Sequence, residues 1–204
     1  MQGAILVLSG PSGAGKSTII SNATNSIGAY YFSISTTTRS PRNGEKNGRE
    51  YHFVSKEEFE TGIQEGDFLE YAKVHDNYYG TSLKPVQKAL NEGKLVIFDI
   101  DVQGHRLIRQ KLGDITTSAF ITPPSLEILS QRLFSRLTDE RQVIQKRLEV
   151  AKHEILAIKE YDFLIINDTI SQATEQFIKV ANVARLKQSD RQKDSFLRQW
   201  FAQS

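Results

Sequence analysis

The sequence contains no cysteine among its 204 residues. This absence excludes disulfides, thiolate nucleophiles and cysteine-ligated zinc. Long apolar runs are also missing, since the longest one near the start covers residues 4–8 and no basic residue precedes it. Such a run is too short for a secretory signal or a membrane span. We therefore expect a soluble protein of the cytoplasm.

A strong excess of one charge is also absent. The chain has 26 Lys and Arg against 24 Asp and Glu, a formal net charge of +2. That excess is too small to attract nucleic acid or an anionic membrane in bulk, and we expect neither as a partner. Hydrophobic residues (39%) and charged residues (25%) are in the proportions of a globular chain, whose oligomeric state they leave open. The length favours one domain with inserted segments.

Short apolar runs alternate along the chain with segments of helical character. Helices are expected at 16–25 and 103–111. Strands are expected at 4–9, 95–100, 119–121 and 163–166. Continuous apolar strands separated by helices are typical of a parallel sheet that is covered on both faces. The sequence therefore predicts an α/β fold with a parallel sheet flanked by helices.

Two segments interrupt this alternation. Residues 33–93 are richer in Tyr, Thr, Gly and charge, with short strand candidates at 50–54 and 68–74. Ser55 and Glu58 have the spacing of a capping box, which predicts a helix ending near Gly66, and Ser82 and Gly93 bracket a second helix. We predict an inserted mixed α+β lobe here. Arginines are dense in a smaller insertion after residue 125, and inserted segments of this kind commonly bind and enclose substrates.

A phosphate-binding loop is predicted where the first strand ends. Gly10-Pro11-Ser12-Gly13-Ala14-Gly15-Lys16-Ser17 satisfies G-x-x-x-x-G-K-[ST] between a strand and a helix. Glycines let successive backbone N–H groups converge on an anion at the positive end of the helix. Lys16 would reach the β- and γ-phosphates and Ser17 would bind Mg²⁺. A glycine-rich turn with a solvated lysine is the less favoured alternative, and Ala14 excludes the nucleophile elbow G-x-S-x-G.

Two aspartates stand at the end of the strand at 95–100. Asp99 and Asp101 lie on one face of an extended chain, where their charges repel each other. A cation, water-mediated Mg²⁺ binding or hydrogen-bond donors of a substrate would make this arrangement favourable. Capping of the next helix is the alternative, and both roles are compatible.

Five further segments resemble guanylate kinase, a family of P-loop nucleoside monophosphate kinases, in their order and spacing. These are Ser35-Thr-Thr-Thr-Arg39-Ser-Pro-Arg42, Gly48-Arg-Glu-Tyr51-His-Phe53, Phe68-Leu-Glu70, Asn77-Tyr-Tyr79-Gly-Thr81 and Asp99-Ile-Asp101-Val-Gln103-Gly104. The resemblance implies Mg²⁺-dependent transfer of the γ-phosphoryl group of ATP to GMP and dGMP in purine metabolism. It implies a P-loop core (1–32, 94–125 and 148–204), a GMP-binding lobe (33–93) and a small helical lid (126–147).

The resemblance also implies the residues of the GMP site. The phosphate would be held by Ser35, Arg39, Arg42, Tyr51 and Tyr79. Arginine suits a dianion because its planar, permanently charged fork donates bidentately. Guanine would be bound by Glu70, Thr81 and Asp99. One carboxylate can accept from both N1–H and the 2-amino group of guanine, whereas N1 of adenine is an acceptor and would oppose it.

For the ATP side the resemblance implies a second set of residues. The ATP-binding set is Gly10, Pro11, Ser12, Gly13, Ala14, Gly15, Lys16, Ser17, Thr18 and Asn167. Catalysis is assigned to Lys16, Arg132, Arg136 and Arg147, and Mg²⁺ to Ser17 and Asp101, directly or through water. Leu137 and Thr169 depart from the family, which has Gly and an acid at these positions.

Two other functions are weighed against this one. A noncatalytic module that binds phosphorylated peptides through the same lobe typically lacks an intact phosphate loop, which this chain has. A P-loop kinase with another acceptor is disfavoured by Glu70 and the two arginines. The four histidines have no metal-ligand spacing and are expected on the surface or in the lobe.

Overall fold

The structure, a computed structural model, describes residues 3–42, 44–74, 76–135 and 141–202. Its strands are β1 (Ala4–Ser9), β2 (Tyr30–Ser33), β3 (Thr36–Thr37), β4 (His52–Phe53), β5 (Phe68–Val74), β6 (Asn77–Ser82), β7 (Leu95–Asp99), β8 (Thr116–Thr122) and β9 (Phe163–Ile166). Its helices are α1 (Lys16–Ala23), α2 (Lys56–Gln64), α3 (Leu83–Asn91), α4 (Val102–Leu112), α5 (Leu126–Phe134), α6 (Arg141–Glu154), α7 (Ile170–Ala184) and α8 (Asp190–Ala202).

A five-stranded parallel sheet forms the centre of the fold, in the order β2-β7-β1-β8-β9. All six residues of β1 are buried because helices cover both faces of this sheet. Side chains of α1 and α7 pack on one face, and those of α3 and α4 on the other. The predicted α/β fold is confirmed. In the sheet Leu8 pairs with Asp99, which brings the ends of β1 and β7 together.

A four-stranded sheet, in the order β4-β3-β6-β5, forms within the segment predicted as a mixed insertion. Its packing centre is Phe59 of α2, whose ring stacks on Phe68 at 4.3 Å and on Tyr78 at 5.2 Å. The strand predicted at 50–54 contains only His52–Phe53 in the structure. The predicted capping box of α2 is present, since Ser55 and Glu58 exchange side-chain and backbone hydrogen bonds.

One local expectation holds in position only, and another is wrong. Ser82 precedes α3 as predicted, but its side chain makes no capping bond and lies 3.4 Å from the hydroxyl of Thr36 on the neighbouring strand. His105 is 1% exposed, and its ring stacks on Tyr161 at 4.0 Å. His105 therefore lies inside the fold against an aromatic ring, and not at the surface or in the lobe as expected.

Helices α5 and α6 flank residues 136–140, which lie outside the described part of the chain. Leu129, Leu133, Ile144 and Ala151 hold the two helices together in a small apolar cluster of their own. Helix α6 continues to Glu154, seven residues beyond the predicted end of the lid. Among the helices of the described segments, none combines the length and apolar composition needed to cross a membrane.

Candidate active site

The phosphate loop connects β1 to α1 through glycines with positive φ angles. These are 144° at Gly10, 91° at Gly13 and 93° at Gly15, values that side chains rarely tolerate. Space is also limiting, because a Cβ at Gly10 would lie 1.9 Å from the carbonyl oxygen of Ile121. A Cβ at Gly15 would lie 2.3 Å from Nδ2 of Asn167. The loop therefore needs glycine at these positions, and α1 begins directly after it with its N-terminal N–H groups facing the loop.

The side chain of Lys16 lies between the start of this loop and the end of β7. Its Nζ donates to the carbonyl oxygen of Gly10 at 2.6 Å and lies 3.7 Å from Oδ1 of Asp99. Burial raises the pKa of Asp99, and the ammonium group of Lys16 opposes that rise. Two contacts, one to a backbone carbonyl oxygen and one to a carboxylate, thus hold the lysine at the phosphate loop.

One cavity of about 400 Å³ joins the predicted donor and acceptor sites. The phosphate loop contributes Gly10, Ser12 and Lys16 to its lining. From the predicted acceptor site it includes Ser35, Tyr51, Glu70 and Tyr79, with Asp99 and Asp101 between the two groups. Residues more than fifty positions apart in the chain therefore surround one space, in which a phosphate at Lys16 and a base at Glu70 can be bound together.

Glu70 lines this cavity and is buried, with 6% of its surface exposed. It pairs across the β5–β6 ladder with Thr81, whose hydroxyl donates to Oε1 of Glu70 at 2.6 Å. Burial raises the pKa of Glu70, and the bond from Thr81 opposes the rise. A buried carboxyl group with one neutral protein donor retains acceptor capacity for a ligand.

Arg39 is held by contacts on three sides. Its Nη2 donates to both carboxylate oxygens of Glu45, at 3.0 and 2.9 Å, and its Nη1 donates to the carbonyl oxygen of Ser40 at 2.7 Å. The guanidinium carbon lies 5.4 Å from the ring centre of Tyr51 and 5.7 Å from that of Phe53. These contacts fix the orientation of the guanidinium group next to Tyr51, which lines the cavity.

Glu45 was missed by the sequence reasoning. Besides binding Arg39, its Oε2 accepts from the backbone N–H of Arg42 at 2.7 Å. Burial alone would raise the pKa of Glu45, but these two donors lower it. One carboxylate thus organises the turn that carries both arginines. The spacing Arg-x-x-Arg-x-x-Glu is the sequence signal that could have identified it. Arg42 itself is exposed and does not line the cavity.

The predicted metal ligands do not line one cavity. Oδ1 of Asp101 accepts from the N–H of Gly104 at 2.8 Å, so Asp101 both caps α4 and lines the main cavity. Ser17 is exposed and lines an adjoining depression with Ser35, Tyr51 and Asp99. Across the described segments, no three His, Asp or Glu side chains are grouped to hold a metal ion. Oxygen donors suit Mg²⁺, but this set would need phosphate oxygens and water to complete its coordination.

The remaining ATP-side residues surround a separate depression, lined by Gly13, Gly15, Thr18, Arg132 and Asn167. Asn167 is buried, and its Nδ2 donates to the carbonyl oxygen of Ala14 at 2.8 Å. Arg132 donates from Nη2 to the carbonyl oxygen of Asn167 at 2.9 Å and does not line the main cavity. Arg147 is half-buried on α6, whereas Arg136 and the departure at Leu137 lie outside the described residues.

Glu154 is a second residue that the sequence reasoning missed. It ends α6 and lines the main cavity, where burial raises its pKa. Arg147 and Glu154 are seven residues apart, a spacing that places both on one face of the helix. This helical periodicity is the signal that could have linked Glu154 to the site.

Comparison with known proteins gives consistent results. The family model described as guanylate kinase matches residues 2–183. A guanylate kinase of Sulfurimonas denitrificans is 57% identical over 198 residues, which cover 97% of this chain and 96% of that protein. One of Helicobacter hepaticus is 51% identical, covering 93% of this chain and 95% of its own. The crystal structure of guanylate kinase from Anaplasma phagocytophilum superposes with a TM-score of 0.75 at 31% identity, covering 91% of this chain and 88% of that one.

Proposed function

The chain belongs to the guanylate kinase family, and on that premise we propose how its residues transfer the γ-phosphoryl group of ATP to GMP. The chain is an ATP:GMP phosphotransferase that forms ADP and GDP. One observation carries the residue assignment, namely that Lys16 and Glu70 both line a single cavity. A kinase for a nucleotide acceptor needs both ligands in one enclosure, because catalysis depends mainly on positioning them.

The acceptor would be bound by two groups of side chains. Glu70 accepts from N1–H and the 2-amino group of guanine, with Thr81 holding the carboxylate in place and Asp99 near the base. The phosphate would be held by Ser35, Arg39, Arg42, Tyr51 and Tyr79. Since these contacts involve the base and the phosphate, dGMP is the second acceptor that we propose.

The donor would be bound by the phosphate loop. Its N–H groups and Lys16 contact the β- and γ-phosphates, and Thr18 and Asn167 complete the ATP site. A phosphate oxygen of GMP attacks the γ-phosphorus in line, a new P–O bond forms, and the bond to the β-phosphate oxygen breaks. Negative charge on the equatorial oxygens would be stabilised by Lys16 and by Arg132, Arg136 and Arg147.

Mg²⁺ is the proposed cofactor. Ser17 and Asp101 would hold it, directly or through water, together with phosphate oxygens of ATP. When bound it would neutralise charge on the transferring phosphates.

The cytoplasm is the compartment that we propose for the reaction, consistent with the absence of cysteine from the sequence.

Substitution of Glu70 tests the acceptor assignment. Glu70→Gln replaces one carboxylate oxygen by an NH₂ group that opposes the donors of guanine, so kcat/KM for GMP should fall by about 10²-fold or more. KM for ATP should stay within about threefold of the wild type. Steady-state kinetics with each substrate varied in turn measure both values, and Glu57→Gln at an exposed position of α2 is the matched control. Equal losses for ATP and GMP would reject the assignment of Glu70 to the base.

A further inference from the structure

Asn167 connects the phosphate loop to the last two strands of the central sheet. It directly follows β9, and its backbone N–H donates to the carbonyl oxygen of Thr122 on β8 at 2.8 Å. Only 4% of Asn167 is exposed, and its Nδ2 donates to the carbonyl oxygen of Ala14 at 2.8 Å. A residue that is fixed at the ends of two strands thus holds one peptide group of the loop.

The bond to Ala14 also sets the direction of a backbone donor. Ala14 is 1% exposed, and its own N–H donates within the loop to the carbonyl oxygen of Pro11 at 3.0 Å. The peptide bond from Ala14 to Gly15 is trans, and in a trans peptide group the C=O and the N–H point in opposite directions. By holding this carbonyl group, Asn167 turns the N–H of Gly15 away from itself. In phosphate loops such N–H groups converge on the bound anion.

Gly15 leaves the space that this contact needs. A Cβ at Gly15 would lie 2.3 Å from Nδ2 of Asn167, so a side chain there would displace the amide group. The third glycine of the loop and the amide of Asn167 therefore fit together, and the conformation of the loop at this point depends on a residue that lies far from it in the sequence.

Contact with the adenine base is the alternative role of Asn167. Its Oδ1 could accept a hydrogen bond from the 6-amino group of adenine. That atom is enclosed by protein, and none of the residues that the structure describes donates to it. A base could reach an enclosed oxygen only after the surrounding groups had moved, whereas the bond from Nδ2 to the loop is already formed. The geometry therefore favours a role in the loop.

We propose that Asn167 is a positioning residue for the phosphate donor, which acts on ATP through the phosphate loop and not through the adenine base. The inference rests on the proposed role of this loop in binding ATP. Arg132, on α5, donates to the backbone carbonyl oxygen of Asn167 at 2.9 Å. The same residue therefore also fixes where α5 lies beside the loop.

The test compares ATP with purine riboside 5′-triphosphate, a donor that lacks only the 6-amino group. Asn167→Leu keeps nearly the same shape but leaves the carbonyl oxygen of Ala14 without its donor. We expect kcat/KM to fall by about tenfold or more with each donor, and by the same factor within about twofold. KM for GMP should stay within about threefold of the wild type. The ratio of the two donors is measured on one preparation, so the fraction of folded protein does not affect it.

Asn91→Leu makes the same substitution at an exposed position of α3 and should leave both donors at wild-type values. A much larger loss with ATP than with the purine analogue would show a contact with the base and overturn the proposal. So would the absence of any loss, or an equal weakening of donor and GMP binding, which would indicate general damage to the fold. If Lys16→Ala abolishes turnover while Asn167→Leu does not, only the role of Asn167 fails; if Lys16→Ala is as active as wild type, the proposed donor site fails.

Discussion

At the scale of single residues, Lys16 is the side chain on which transfer should depend most. Its ammonium group has two neighbours in the structure, the carbonyl oxygen of Gly10 at 2.6 Å and the carboxylate of Asp99 at 3.7 Å. The first contact lies within the loop, and the second joins α1 to the end of β7, which the pairing of β1 with β7 already holds next to the loop, so we expect Lys16 to contribute little to stability. Its position at the phosphate loop suits it to stabilise the charge of a transferring phosphoryl group.

Lys16→Ala should therefore separate activity from folding. We expect turnover to fall by about 10³-fold or more, since electrostatic stabilisation of the transition state is lost, while the melting temperature stays nearly unchanged. Initial-rate kinetics and thermal unfolding measure the two quantities. Lys179→Ala removes an exposed lysine paired with Glu175 on α7 and serves as the control. Turnover near the wild-type value would contradict the assignment of the phosphate loop.

The residues of the site differ in how far the sequence could predict them. The phosphate loop is a continuous segment whose glycine and lysine positions are fixed by local geometry, so its pattern was sufficient. Glu70 was found through the resemblance of its surroundings to a family. Glu45 and Glu154 escaped notice because Glu45 acts through Arg39 and Glu154 lines the cavity from the end of α6. Such contacts depend on how distant elements pack.

At the scale of secondary-structure elements, α2 shows how local and tertiary interactions combine. The capping box at Ser55 satisfies backbone groups at the start of the helix. Phe59, 1% exposed, then fixes the helix on the second sheet by stacking on Phe68 and Tyr78. Since Tyr78 lies beside Tyr79 of the cavity, the position of α2 supports one wall of the proposed acceptor site.

Removal of the cap should destabilise the protein in a measurable way. Ser55→Ala should lower the free energy of unfolding by about 1 kcal/mol, because the hydrogen bond from the N–H of Glu58 is lost. Ser82→Ala is the matched control, since Ser82 occupies the same position before α3 without a capping bond, and its effect should be smaller. Denaturant unfolding measures both changes. A larger loss from Ser82→Ala would contradict this account of the two helix starts.

The agreement between predicted and observed elements also depends on whether local or tertiary interactions determine them. The bounds of β1, β5 and β9 were predicted as observed, and in β1 and β9 the nearly continuous apolar run explains this agreement. The strand predicted at 50–54 is only two residues long, since its length depends on pairing with the equally short β3. Ser82 was expected to cap α3 from its position alone, but its side chain lies closer to Thr36 on an adjacent strand.

At the scale of the whole molecule, a buried imidazole makes the stability depend on pH. His105 of α4 stacks on Tyr161, and within the described part of the chain both ring nitrogens lack a hydrogen-bond partner. Burial lowers the pKa of His105, with Arg109 acting in the same direction. The folded protein therefore holds this imidazole neutral at a pH where the unfolded chain would already bind a proton.

This difference predicts how stability depends on pH. Because the pKa of His105 in the folded state lies below the unfolded value of about 6.5, its contribution is present above pH 6.5 and is lost as the pH falls towards the folded pKa. His105→Phe keeps a ring against Tyr161 and removes the titration. The melting temperature should fall more steeply between pH 7.5 and 5.5 in wild type than in this variant. His153→Phe, at an exposed position of α6, should keep the wild-type slope; equal slopes in wild type and His105→Phe would contradict the expectation.

The cavity that joins Lys16 to Glu70 is the central claim at this scale, and a panel of acceptors tests it most directly. ADP formation from Mg²⁺ and ATP would be measured with GMP, dGMP, AMP, CMP and UMP separately, each against a blank without acceptor. We expect rapid turnover with GMP and dGMP and rates near the blank with the other three, because only guanine presents two adjacent donors to Glu70. Comparable turnover with AMP, CMP or UMP, or none with any acceptor in a folded protein, would contradict the account.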